Sequence, residues 1–187
     1  MLPIHTARLH LRRFTESDLP ALVTYRSDPL VARFQSWDES WSHADAVTFL
    51  ADDRESRIGA TEGWVQVAAE LRATGELAGD VAVHTLPHTG EFEVGVTFAR
   101  AHQGHGLATE ALGAIVDGLF ASFDARRVVA ETDDRNDAVH HLLGRLGFTT
   151  LRTYQEADGV AVREFALDRA GWTAARAESG LTGPAPT

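Results

Sequence analysis

The sequence contains no cysteine. A disulfide framework, a thiolate metal site and a thiol nucleophile are therefore excluded. No apolar run approaches the length of a membrane span, about 18 residues. The opening, MLPIHTARLHLRR, lacks the apolar stretch of a secretory signal, so a cytoplasmic location is expected. Positive charge is in short supply: 17 Lys plus Arg against 27 Asp plus Glu give a formal net charge of −10. Broad nucleic-acid binding needs basic patches that neutralise phosphates, so neither that partner nor a membrane surface is indicated. The acidic balance aids solubility and weakly steers cationic ligands, amines among them, toward the protein. Metal-ligand spacings are missing as well. There is no H-E-x-x-H pattern, and His84 and His88 straddle Pro87, which breaks helical spacing. No metal is expected.

What is present suits one domain. Apolar residues make up 44% of the 187 positions, enough for a sizeable core, and no repeat or linker divides the chain. RLHLRRF (8–14) alternates apolar and polar residues as a strand does. Thr15 followed by Asp18 marks a helix start, with Leu19, Leu22 and Val23 as its apolar stripe. Ser42 caps a second helix over 42–53, with Ala46, Val47, Phe49 and Leu50 expected inside. Between them, ARFQSWDESW reads as a loop or broken helix. Segments 63–71, 75–86 and 91–99 are strand-like and separated by turn-rich RATGE and PHTGE, a three-strand meander. Residues 106–123 place apolar side chains at i, i+3 and i+4. A strand over 126–132, a helix over 136–146 stopped by Gly147, and a hairpin over 148–154 and 160–167 complete the pattern. The expectation is a mixed α/β (α+β) domain over 1–172, with a mostly antiparallel sheet of about seven strands and helices on both faces. Residues 173–187 are expected to be a disordered tail. No pattern sets an oligomeric state.

The stretch HQGHGLATEA (102–111) places two glycines just before an apolar helix. A phosphate-binding P-loop needs Gly, four residues, then Gly-Lys-Ser/Thr, and no lysine is present here. A dinucleotide-binding turn would use Gly104 and Gly106, with Glu131 roughly where a ribose-binding acid belongs. Thr109, however, holds the third glycine position, and the motif is central rather than N-terminal. A bare strand-to-helix turn is the plain alternative.

The whole run Gln103-Gly104-His105-Gly106-Leu107-Ala108 resembles the Gln/Arg-x-x-Gly-x-Gly/Ala signature of the GNAT acyltransferase superfamily. TARLHLRRFTESD, EFEVGVTF, GLATEAL, DRNDAVHHLLGRLGF and LDRAGW resemble, in the same order, the branch holding ribosomal-protein N-terminal alanine and serine acetyltransferases. The resemblance spans about residues 6–172. It implies acetyl-CoA as co-substrate and an amine-bearing acceptor, either a small molecule or a protein N-terminus. It also implies a coenzyme site made of Val96, Phe98, Gln103, Gly104, His105, Gly106, Leu107, Ala108, Thr109, Asn136 and His140. Physical chemistry is consistent with this. The N–H groups at a helix start are unpaired and partly positive, and glycine lets the backbone approach a diphosphate. The strand near Gly95–Ala99 is expected to pair with the pantetheine amides as an added strand would.

The implied reaction is direct attack of a neutral amine on the acetyl thioester. It needs a proton acceptor for the amine, an N–H donor for the tetrahedral oxyanion, and an exit for the thiolate. Glu93 is the candidate base, sharing a strand face with Glu91, Gly95 and Thr97; Glu91 is the weaker choice. A backbone N–H near Val96 is the expected oxyanion donor. Similar enzymes carry Ser three residues, or Tyr seven residues, after the asparagine matched by Asn136. Here Val139 and Leu143 occupy those positions, and neither donates a proton. The thiolate then leaves into water or takes a proton from His140, four residues after Asn136. Phe34, Trp37 and Trp41 fall in the segment that forms the acceptor wall in similar enzymes; a buried packing role is the plainer reading. A non-catalytic acyl-CoA-binding module is the alternative from another class.

Overall fold

The computed structural model describes residues 1–60, 63–86 and 88–178. In chain order it holds β1 (Ile4–His5), β2 (Leu9–Arg12), α1 (Leu19–Arg26), α2 (Pro29–Ala32), α3 (His43–Glu55), β3 (Trp64–Leu71), β4 (Leu77–Leu86) and β5 (Glu91–Phe98). Then come α4 (Leu107–Ser122), β6 (Arg127–Asp133), α5 (Asp137–Arg145), β7 (Thr149–Gln155), β8 (Ala161–Asp168) and α6 (Arg169–Glu178). The eight strands form one sheet in the order β1-β2-β3-β4-β5-β6-β8-β7. Neighbours run antiparallel except β5 and β6, which are parallel and joined through α4. The mixed architecture read from the sequence is present, with one strand more. β1 is two residues long, too short to show alternation.

The helices begin where local chemistry starts them. Thr15 and Asp18 form a capping box on the 3-10 turn that leads into α1, and Ser42 with Asp45 does the same for α3. Arg12 grips Asp18 with both Nη atoms, at 2.7 and 2.8 Å, and so ties β2 to that turn. Burial pushes the Asp18 carboxyl up, but the Arg12 fork and the Thr15 hydrogen bonds outweigh it and hold the group below its usual range.

Helices cover both sheet faces. On one, α4 buries Ala111, Leu112, Ile115, Val116, Leu119 and Phe120 against Val81, Val83, Phe92 and Val94. On the other, Phe14, Leu19, Leu22, Ala46 and Leu50 pack over Ala68. Val47, expected inside, is 48% exposed. The buried stripe of α3 consists of Ala46, Leu50 and Asp53, and position 47 falls beyond its edge. The expected tail also needs correcting. Residues 173–178 continue α6, because Trp172 stacks on Phe120 at 5.2 Å and its Nε1–H donates to Asp117 at 2.7 Å. Arg176 pairs with the same carboxylate at 2.7 Å. The rest of that tail, 179–187, lies outside the described residues.

A polar knot lies within the second layer. Asp80 on β4 is 1% exposed. It accepts from the Tyr25 hydroxyl in a short bond and from Arg26 Nη2 at 3.3 Å. The Arg26 guanidinium lies 4.0 Å from the Trp37 ring centroid and 4.8 Å from that of Trp41. One charged group thus joins α1, β4 and the loop after α2. Asp80→Ala leaves Arg26 buried without a counter-charge and is expected to cost about 3–5 kcal/mol. Asp80→Asn, which keeps a hydrogen-bond acceptor, is expected to cost less. Urea denaturation midpoints check both.

Candidate active site

The site begins where the two parallel strands part. β5 and β6 pair only at Glu91, Phe92 and Glu93 against Arg127, Val128 and Val129. Beyond that, β5 continues to Phe98 on β4, and β6 continues to Asp133 on β8. The Ala99 N–H donates to the Ala78 carbonyl. Hydrogen-bonded pairs alternate along an antiparallel ladder, so Glu93, Gly95 and Thr97 turn their backbone groups to β4. Val94, Val96 and Phe98 turn theirs away from β4, toward β6 and, past its last pair, into the opening. Buried backbone groups need partners, and here a ligand strand can supply them. The Phe98 carbonyl is already taken, since Gln103 Nε2 donates to it at 2.8 Å. Gln103 therefore braces the end of β5.

A cleft of about 340 Å³ opens there. It brings together Val96, Phe98, Gln103, Gly104, Gly106, Leu107, Ala108, Thr109 and Asn136. Gly104 and Gly106 have φ of +77° and +75°, the left-handed region that favours glycine. Gly106 is the N-cap of α4 and offers no capping side chain. By contrast, Ser42 caps α3 and the Asn136 side chain caps α5, accepting from the Val139 N–H at 3.4 Å. The first N–H groups of α4 are thus left for a ligand, with the positive end of the helix dipole behind them. Arg145 adds a positive charge to the cleft wall.

A smaller recess of about 70 Å³ lies between the parted strands, lined by Val94, Gly95, Val96, Asn136, Val139 and Leu143 among others. The face of α5 expected to turn toward the coenzyme therefore does border the opening. His140 and His105 do not border the cleft. The His140 ring is turned toward the sheet, where it packs on Phe165 at 5.2 Å; position 140 is 100° round the helix from Val139. Its Nε2 is buried without a partner, and Nδ1 is 3.8 Å from Asp137. His105 turns outward, and its carbonyl accepts from Arg8.

Glu93 stands at the last paired position of the fork, on the sheet face opposite α4. Its Oε2 is 3.4 Å from His84 Nδ1, and the His84 ring stacks on Trp64 at 5.1 Å. Burial pushes the Glu93 carboxyl up; contact with His84 opposes this, while Glu131 and Glu164 add to it, and the result is a raised pKa. Glu131 and Glu164 face each other across β6 and β8. Tyr154 joins them: burial and its hydrogen bond to Glu131 push its hydroxyl up to about 12. Glu91 has another task. It is 7% exposed and forms ion pairs with Arg126 and Arg127, which close the foot of the fork.

Of the three aromatics in that segment, Phe34 lines the cleft, while Trp37 and Trp41 take the packing role and cover Arg26. Leu30, Val31 and Gln35 also line the cleft, and nothing in their local pattern marks them. Among the described residues, no group of three or more His, Asp or Glu is placed to hold a metal, and no helix is long and apolar enough to cross a membrane.

Comparison with known proteins gives the family. Residues 8–149 match the family model described as acetyltransferase (GNAT) domain. The uncharacterized N-acetyltransferase p20 of Bacillus licheniformis is 28% identical over 163 residues, covering 85% of this chain and 90% of that protein. The uncharacterized N-acetyltransferase YoaA of Bacillus subtilis is 29% identical over 168 residues, covering 85% and 92%. Mycobacterium smegmatis RimJ in complex with CoA-disulfide superposes with a TM-score of 0.78 at 19% identity, covering 96% of each chain. Spermidine N-acetyltransferase from Vibrio cholerae, in complex with CoA and spermine, superposes with a TM-score of 0.76 at 14% identity, covering 90% of this chain and 99% of that one. The chain belongs to the GNAT acetyltransferase family and is an acyltransferase that uses acetyl-CoA.

Proposed function

We propose that the protein transfers the acetyl group of acetyl-CoA to a primary amine by direct attack on the thioester, with Glu93 taking the amine proton. The observation that carries this reading is the fork. The backbone groups of Val96 face the opening beside a glycine-capped helix start, and a half-buried glutamate stands at the last paired position of the fork. In this reading the pantetheine arm lies along β5 and the diphosphate sits over the N–H groups of 106–109. The Val96 N–H donates to the oxyanion. A donor fixed in advance at that atom stabilises charge without reorganising during the reaction. The raised pKa brings Glu93 closer to neutral, where a base works best. Val139 and Leu143 give the thiolate no proton, so it leaves into water. The acceptor is a small-molecule amine or a protein N-terminus; the carboxylates of Glu93 and Glu131 favour one that carries positive charge, Glu164 being paired with Arg152. A cytoplasmic setting, where acetyl-CoA is made and used, completes the reading.

Coenzyme binding is checked by melting curves. Millimolar acetyl-CoA is expected to raise the midpoint by mass action. Gly106→Val is expected to abolish the shift, since a β-branched residue cannot hold that φ and blocks backbone approach. An unshifted native protein would sink the coenzyme site.

The base is checked by an amine panel followed by free-thiol release. Glu93→Gln is expected to lower kcat about 10²-fold near neutral pH. The native rate falls as pH drops through the raised Glu93 pKa, because the protonated carboxyl cannot accept. The variant lacks that limb, and its deficit shrinks at high pH, where free amine is abundant. Equal rates at neutral pH would remove Glu93 from the mechanism.

The thiolate exit has its own check. If departure limits turnover, Val139→Ser raises single-turnover kcat up to about tenfold, equivalent to roughly 1.4 kcal/mol. His140→Ala is expected to leave kcat unchanged, since that ring faces Phe165. A slowed His140→Ala variant with an intact fold would restore the histidine relay.

A further inference from the structure

We infer that Arg8 is a positioning residue for the coenzyme: with Glu110 it holds the glycine turn in its binding shape and neutralises a carboxylate that would otherwise repel the diphosphate. This rests on the reading of the turn as the diphosphate site. Arg8 lies between β1 and β2, far from the turn in sequence. Its Nη1 donates to the His105 carbonyl at 2.8 Å, and its Nε to Glu110 Oε2 at 2.6 Å. Its backbone N–H donates to Glu110 Oε1 at 2.8 Å, and the Thr6 hydroxyl donates to the same oxygen at 2.6 Å. Nη2 stands 3.6 Å from where a Cβ on Gly106 would be. A planar guanidinium thus spans the turn and the first turn of α4 at once, which a lysine ammonium cannot do.

Two physical effects meet in this clamp. The first is geometric. Residues 104–106 contain two left-handed glycines and no side-chain cap, so little within the segment itself fixes its shape. The Arg8 bond to the His105 carbonyl lies between those glycines and anchors the peptide from outside. Arg8 does not border the cleft; it holds the turn from behind. The second effect is electrostatic. Glu110 sits in the first turn of α4, where a carboxylate suits the helix dipole. The same position is within a turn of the N–H groups that receive the diphosphate. Burial would raise the Glu110 carboxyl, but Thr6 and Arg8 outweigh that and keep it ionised. Unpaired, that charge would oppose an anionic ligand; paired with Arg8, it does not.

Titrations of CoA by calorimetry, and of pantetheine by NMR amide shifts, test the clamp. Pantetheine carries the same arm without phosphate. Arg8→Gln is expected to raise the CoA Kd about tenfold and leave the pantetheine Kd within about twofold. Arg8→Lys restores charge but not the double contact, and is expected to fall between. Adding Glu110→Gln to Arg8→Gln removes the uncompensated charge and is expected to recover part of the loss. Melting curves without ligand show that each variant folds. An unchanged CoA Kd in Arg8→Gln overturns the inference. So does an equal loss for CoA and pantetheine, which would mean general loosening. A native protein that binds CoA no more tightly than pantetheine overturns the diphosphate reading itself, and the clamp with it.

Discussion

The structure depends on one interrupted ladder. β5 and β6 are parallel and pair at three positions, then separate because each is held more extensively by its other neighbour. β5 keeps eight paired residues on β4, and β6 keeps seven on β8. Neither gives up that pairing to follow the other. Backbone groups that would have closed the sheet are left facing a gap. Such groups require water or a partner, and a ligand with its own amides meets that requirement. α4 then starts at the mouth of the gap, because the βαβ crossover must leave from the end of β5. Strand amides and helix amides therefore face the same cleft for reasons of topology.

The charges follow from this arrangement. A chain of net charge −10 must hold an anionic coenzyme. The cleft offers such a ligand fixed local dipoles, the first N–H groups of a helix whose N-cap has no side chain, and the charge of Arg145. On the other sheet face stand Glu93 beside His84, Glu131, and Glu164 paired with Arg152. Arginine is used mainly to neutralise: Arg126 and Arg127 on Glu91, Arg12 on Asp18, Arg26 on Asp80. These pairs lock the foot of the fork, the start of α1 and the loop that bears Phe34.

Much of this was legible in the sequence. Capping pairs located helix starts to within a residue or two, since they depend on three or four neighbouring residues. Alternation located the long strands, and the glycine run located the turn. What failed was orientation. His140 sits one position from Val139 and faces another element. Glu91 and Glu93 share a strand face, yet one is consumed in ion pairs and the other is half-buried beside His84. Trp37 and Trp41 do take the packing role that was the plainer reading, but the partner they cover, the Arg26 guanidinium, was not legible. Ordered structure runs past the expected boundary at 172, in α6, because Asp117, on α4, takes both Trp172 and Arg176. Each outcome was decided by a partner distant in sequence.

The sequence by itself determined the longer strands and helices, the glycine turn at Gly104 and Gly106 before a helix, and the absence of thiol chemistry. Those properties follow from the covalent and steric character of residues a few positions apart. Tertiary structure alone decided where β5 leaves β6, which backbone groups stay unpaired, which carboxylate is free, and that Arg8 reaches the turn. Those depend on which strand outcompetes which for hydrogen bonds and on which charges meet across a hundred residues of chain. Local pattern carries no record of such competition, because its outcome is set by the sum of contacts over the whole sheet.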